Sequence, residues 1–420
     1  MNKSWKLAPW IFLTVQFASS AAHLYSAPAQ DGTASQAGTR IELLEEQQKE
    51  KARNLLPARP PKAEQWLDKY VGRDPLNKYM GGVPGLHLRF GGMPSGAGLS
   101  LGPEYFRPDL AKGQVSFRAS AVGSKKLWYL IETELRFPHL ARQYLDVVIQ
   151  GHRLDANSMD YYGPGPGSLK AGRTNYRREE NAVDVSLAFK PTRRYLGVGF
   201  AAAYMWLNIG PGKLSHVHSS EKQYLPSMAP GIDRQTNYLR VGPFLEVDSR
   251  DKPKDPHGGT HVLVKFHQYS DRKHGEYSFR QIDSSIEQYL PFLNKKRVIA
   301  LRVRSVLSYP GAGSAIPFYM QPTLGGASDL RGYRHYRFYD NHSFLINAEY
   351  RWEIFTPMDV AVFGDAGKVF HRDGDFNLKK LESDVGFGLR FKSKRAVVFR
   401  IDTAFSHEGC GLWFTFDHVF

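Results

Sequence analysis

The 420-residue sequence is almost free of cysteine, with Cys410 alone. No intrachain disulfide can form, so packing, hydrogen bonds and charge must hold the fold. After residue 30 no apolar run approaches the roughly 20 residues that a membrane-spanning helix needs, and mean hydropathy is -0.43. A helical membrane protein is excluded for that part. Catalytic motifs are scarce as well. No G-x-S-x-G occurs, and "GPGPGS" lacks the Lys-Ser/Thr pair that completes a phosphate loop. His216 and His218 in "LSHVHSSE" have no evident third ligand. Cys410, between Gly409 and Gly411, reads as a packed thiol and not as a nucleophile. The chain is therefore not expected to be an enzyme or to carry a metal or other cofactor.

The N-terminus is better marked. Lys3 and Lys6 precede the apolar run "LAPWIFLTVQFA", and the small residues of "SSAA" and "SAPA" follow. This is the layout of a secretory signal peptide, with cleavage expected after Ala21, Ala22 or Ala29. Residues 1–29 are assigned to it. Residues 30–83 form a short periplasmic segment. Within it, "RIELLEEQQKEKARNLLP" places Ile41, Leu44 and Leu55 near one stripe of an amphipathic helix ended by Pro57. The balance of 56 Lys and Arg against 41 Asp and Glu suits an anionic surface. In an exported chain, anionic lipid is a more natural partner than nucleic acid, and a well solvated lumen and loops account for the same balance equally well.

From Gly85 onward the apolar pattern has period two, the mark of half-buried strands. Phe344, Ile346, Ala348, Tyr350 and Trp352 oppose Asn347, Glu349, Arg351 and Glu353, and Ile299, Leu301 and Val303 oppose Arg302 and Arg304. About sixteen such segments occupy residues 84–420, an even number as bacterial barrels require. Alternation alone also fits a soluble sandwich. Loop lengths separate the two. With a periplasmic N-terminus, the long connections 154–180, 209–234 and 310–340 all fall on the external side. The opposite connections are short, such as 192–193, 355–356 and 393–395, and 249–258 is the longest of them. Long external loops with short periplasmic turns characterise outer-membrane barrels. The expected fold is all-β: a transmembrane antiparallel barrel of about 16 strands with a short N-terminal periplasmic helix. The final "GLWFTFDHVF" places Leu412, Phe414, Phe416 and Phe420 on one face, so this strand can close the barrel against the first.

The longest external loop contains "LGGASDLRGY", with Arg331 among glycines and apolar residues. Phe318, Tyr319, Leu324, Leu330 and Tyr333 argue that the loop folds inward. A buried arginine needs an anion, since an unpaired buried charge costs several kcal/mol. Parity supplies two: Glu349 in "NAEYRWE" and Asp365 in "VAVFGDAG" both face the lumen from successive strands, and a guanidinium can bridge such a pair.

"LGGASDLRGYR", "NAEYRW" and "FGDAG", in that order and ending on an aromatic, resemble the outer-membrane protein-85 superfamily, also called the bacterial surface antigen family, which includes BamA and TamA. The resemblance implies that Arg331, Gly332 and Tyr333 are the tip motif of an inward-folded sixth external loop, and that Glu349 is its acidic partner. It implies that Phe363, Asp365 and Gly367 are the matching strand motif and Phe420 the closing residue. Residues 31–83 are too short for a POTRA domain and lack its strands, so the chain resembles minimal members without one. The implied function is insertion or translocation of polypeptide or lipid-linked material across the bacterial outer membrane. Outer-membrane lipid and lipopolysaccharide would be partners, a periplasmic or secreted polypeptide the client, and self-association is compatible. An alternative is a passive porin whose Arg302, Arg304, Arg351 and Arg400 favour anions. A soluble periplasmic β-protein is a third reading.

Overall fold

The computed structural model describes residues 61–67, 84–192, 195–392 and 397–416. The signal peptide, the amphipathic helix expected before Pro57 and the terminal Phe420 lie outside those residues. Among the described residues, sixteen strands follow one another in one antiparallel meander. The first eight are β1 (Gly85–Phe90), β2 (Ser100–Asp109), β3 (Val115–Ser124), β4 (Tyr129–His139), β5 (Leu145–Tyr161), β6 (Thr174–Phe189), β7 (Leu196–Pro211) and β8 (Asn237–Asp248). They continue with β9 (Gly259–Asp271), β10 (Phe279–Phe292), β11 (Arg297–Pro310), β14 (His342–Phe355), β15 (Met358–Phe370), β16 (Glu382–Lys392), β17 (Val397–Ser406) and β18 (Gly409–Thr415). Between β11 and β14, the long loop contains a small ribbon of its own, β12 (Thr323–Leu324) paired with β13 (Phe338–Tyr339).

Burial along the strands is inverted relative to a water-soluble sheet. On β16, Asp384 and Arg390 are buried while Val385 and Phe387 are exposed. On β14, Asn347, Glu349 and Arg351 are buried and Trp352 is exposed. Val183, Val185 and Leu187 of β6 and Ile299, Leu301 and Val303 of β11 extend the outward apolar belt. Apolar faces turned outward cost free energy in water and gain it in lipid. The soluble reading therefore fails on the orientation of the faces, not on the strand count.

The sheet curls until its edge strands meet. The Phe90 ring, at the end of β1, lies 5.5 Å from Phe416, just beyond β18. Among the described residues no ladder pairing joins β1 to β18. Glu64 of the short helix Lys62–Leu67 accepts hydrogen bonds from the amide and hydroxyl of Thr356, in the tight turn between β14 and β15.

The external loops fold over and into the lumen. Tyr161 is the hub: its ring packs 4.9 Å from each of Tyr224, Phe318 and Tyr339, and its hydroxyl donates to the Met228 carbonyl. These contacts join the end of β5, where the connection 162–173 begins, to the connections 212–236 and 311–341. The first is shorter than the sequence suggests because β5 and β6 run on past the alternating zone. From Leu154 to Met159, every residue of β5 is buried, so period two disappears and a strand covered on both faces reads as a loop.

Candidate functional site

The tip of the 311–341 loop sits inside the lumen against the wall from β11 to β18. Its backbone reverses at Gly325 and Gly326, both near φ +112°. A Cβ at Gly326 would lie 2.3 Å from His335 Nδ1, so a side chain there would block the return strand. The turn delivers Arg331 with 0% exposure.

Arg331 uses its donors on two strands. Nε and Nη2 grip Asp365 Oδ2 and Oδ1 at 2.7 and 2.8 Å, and Nη1 donates to Glu349 Oε2 at 2.9 Å. Its guanidinium lies 3.3 Å from the centre of the Phe363 ring. Burial opposes the charge, and the hydrogen bonds and charges of Asp365 and then Glu349 outweigh it, raising the group above the ordinary arginine range. Its carbonyl accepts the Trp413 indole N–H at 2.6 Å, tying the tip to β18 as well.

The other motif residues have steric or anchoring positions. A Cβ on Gly332 would come 2.5 Å from the Asp384 Cβ and 2.8 Å from the Ser406 Cβ, so only glycine fits between β16 and β17. Ser406 Oγ donates to the Gly332 carbonyl. Tyr333 donates to Glu382 Oε2 at 2.7 Å. A Cβ on Gly367 would press within 2.9 Å of the Phe344 carbonyl.

Sequence reasoning missed most of the surrounding network. Glu349 also accepts from Arg351 and Arg390, so three guanidinium groups share one buried carboxylate. Arg390 continues to Asp402 at 2.5 Å, Asp402 pairs with Arg400, and Arg400 returns to the loop by donating to the Ala327 carbonyl. Arg302 donates to Asn347 and to the Ser328 carbonyl, and Asn347 in turn donates to Asp365. Nearer the rim, Arg337 binds Glu408 and the Ser168 carbonyl, linking the loop tip to two further loops. The outward-pointing alternation on each strand predicted which residues face the lumen. It carried no signal for which strand supplies each partner.

One expectation is corrected and two are sharpened. The anion-selective pore rested on Arg302, Arg304, Arg351 and Arg400, but all four are engaged, Arg304 by both oxygens of Asp283. Cys410 is exposed, not packed, because alternation turns it outward with Leu412 and Phe414. Among the described residues, His216 and His218 join no metal-ligand group; the grouping with suitable spacing is Glu246, Asp248 and His261, where Arg250 already occupies Asp248.

A family model described as the Omp85 superfamily domain matches residues 167–409, more than half of the chain. The fold is similar to that of BamA from Haemophilus ducreyi lacking POTRA domains 1-3, at TM-score 0.59 and 14% identity over 79% of this chain and 69% of that one. It is also similar to CdiB from Escherichia coli, at TM-score 0.51 and 14% identity over 81% of this chain and 62% of that one. No curated protein matches the sequence.

Proposed function

This chain belongs to the Omp85 superfamily, and from that premise we propose that it is an outer-membrane barrel which inserts or translocates polypeptide or lipid-linked material by parting the seam between β1 and β18. One observation carries this reading. The loop tip is bound to the wall by charge-assisted bonds on β14 and β15 and by Trp413 on β18, whereas the β1 and β18 edges touch at Phe90 and Phe416 without a ladder among the described residues. A wall braced on one side of a seam that has no ladder among the described residues can open there without breaking the barrel elsewhere. Outer-membrane lipid and lipopolysaccharide surround the apolar belt in this reading, and no catalytic step is part of it. The client is a polypeptide in its favoured form. Arg331, Gly332 and Tyr333, held by Glu349 and Asp365 beside Phe363 and Gly367, are the latch that keeps the loop and the wall in register.

The test is to lock the seam. Cysteines at positions 90 and 416, in a Cys410→Ser background, are bridged by a short bis-maleimide in cells. Bridging is expected to remove one or more outer-membrane or secreted proteins from their normal compartment, while unbridged cells keep them. An unaltered outer-membrane and secreted protein profile in fully bridged cells contradicts the proposal. A steady, anion-selective conductance in planar bilayers that survives bridging would instead support a passive pore.

A further inference from the structure

Charge is distributed unevenly between the two ends of the barrel. Between the described strands, the seven short connections hold twelve Lys and Arg against two acids, Asp251 and Asp255, whereas the eight connections at the other end hold fifteen against eight. The strand carboxylates nearest the short connections are already paired: Asp146 with Arg136 and Lys190, Asp248 and Glu287 with Arg250, and Asp359 with Lys392. Lys112, Arg142, Lys252 and Lys296 of those connections are exposed and have no ion-pair partner among the described residues. The short-turn rim is therefore a ring of one sign.

The turn between β10 and β11 is built to project that charge beside apolar side chains. Leu293, Asn294 and Lys295 are all left-handed, with φ of 47°, 56° and 64°, a conformation that costs a leucine or a lysine more than it costs glycine. Packing within the protein does not offset the strain, since Leu293 is 60% exposed and the Lys295 ammonium lies 3.5 Å from Asp251 in a pair open to solvent. Leu290 and Phe292 are exposed beside them, and Arg297 stands over the Trp352 ring directly across the ladder, 5.2 Å from its centre. Phe189 and Tyr195, exposed at the β6–β7 turn, continue the outward aromatics along the same end. An aromatic girdle of this kind marks the level where lipid meets water. Cations that adjoin it in the chain stand at the height of lipid headgroups.

We propose that this rim is a binding surface for anionic phospholipid headgroups, centred on Lys295, Lys296 and Arg297, with Leu293 and Trp352 against the glycerol and upper acyl region. A phosphodiester accepts charge-assisted hydrogen bonds from ammonium and guanidinium groups and supplies the negative charge that the turns lack. Lipid is favoured over an acidic polypeptide because the cations border an outward apolar belt, where an exposed leucine and aromatic rings need an apolar neighbour that an acidic chain does not offer. The lipid belongs to the leaflet at the short-turn end, opposite the long loops. The inference rests on the barrel's place in a bilayer and not on what passes through it.

The full-length barrel in nanodiscs tests it. A fluorophore on Asn294→Cys, in a Cys410→Ser background, is quenched by a small fraction of either phosphatidylcholine or phosphatidylglycerol carrying brominated acyl chains. At equal mole fraction, brominated phosphatidylglycerol is expected to quench more. Each cation near the surface favours anionic lipid by about fivefold, so adding Lys295→Gln and Lys296→Gln is expected to lower the relative affinity by about 25-fold. Salt at about 0.5 M should flatten the preference in the barrel that keeps both lysines, which gives the same reading if the double variant does not fold. Lys379→Gln with Lys380→Gln removes two exposed charges from the 371–381 connection at the other end and is expected to leave the preference unchanged. Equal quenching by the two lipids overturns the proposal, as does an equal loss in both double variants. Equal quenching by the lipids together with quenching by a nitroxide-labelled polyglutamate peptide would make the rim an acidic-polypeptide interface and likewise overturn it.

Discussion

The indole N–H of Trp413 donates to the backbone carbonyl of Arg331 at 2.6 Å, so β18 holds by the main chain the residue that β14 and β15 hold by its side chain. The loop tip is thus a brace between the interior of the wall and its edge. Trp413→Phe keeps the ring and removes the donor. It is expected to weaken loop docking by about 1–2 kcal/mol, the range for one lost bond that leaves a buried carbonyl unpaired, measured as faster protease cleavage within residues 327–340 with the barrel still folded.

Removing the charge at the centre is more severe. Arg331→Ala leaves Glu349 and Asp365 buried with lost donors, and truncating one member of a buried pair typically costs about 3–5 kcal/mol. Its heat-modified band on cold SDS gels is expected to unfold at a clearly lower temperature than wild type. Arg331→Lys retains charge and loses the planar fork, so it should fall between the two.

Gly332 is predicted to be intolerant for a steric reason. Gly332→Ala drives a methyl against Asp384 and Ser406, and overpacking of this kind costs roughly 1–3 kcal/mol. Gly374→Ala, where a Cβ meets nothing within 4 Å, is the matched control and is expected to behave as wild type in the same gel assay.

His335 packs its ring 4.4 Å from Trp413, and burial, with a smaller contribution from Lys126, lowers its pKa to about 4. The unfolded ring titrates near 6.5, so the neutral ring's contribution is complete above that value and is lost as pH falls toward 4. Loop protection should therefore decline between pH 6.5 and 5 in wild type and stay flat over that interval in His335→Gln.

The strands and the acidic partners were legible because lipid and lumen impose opposite polarity on alternate residues. Parity alone placed Glu349 and Asp365 inward. What parity cannot supply is register between strands, and Arg390, Asp402, Arg400 and Asp384 belong to the network only through register. The same limit hid Gly386, whose missing Cβ leaves room for the Phe363 ring. Arg302 and Arg400 bind the side chains of Asn347 and Asp402 and also the backbone carbonyls of Ser328 and Ala327, and those carbonyls no sequence displays. The far end of β5 was hidden for the complementary reason: a strand buried on both faces carries no alternation.

The central claim is that the Arg331 latch keeps the β14–β18 side of the wall in register at the β1–β18 seam. Spin labels at Leu88 and Leu412, both exposed on the outer face of those strands, report it directly in nanodiscs by electron–electron double resonance, with Cys410 replaced by serine. The account predicts one narrow distance distribution in the otherwise wild-type barrel and a broader, longer one when Arg331 is changed to Ala. An unchanged narrow distribution in a folded Arg331→Ala barrel would contradict it.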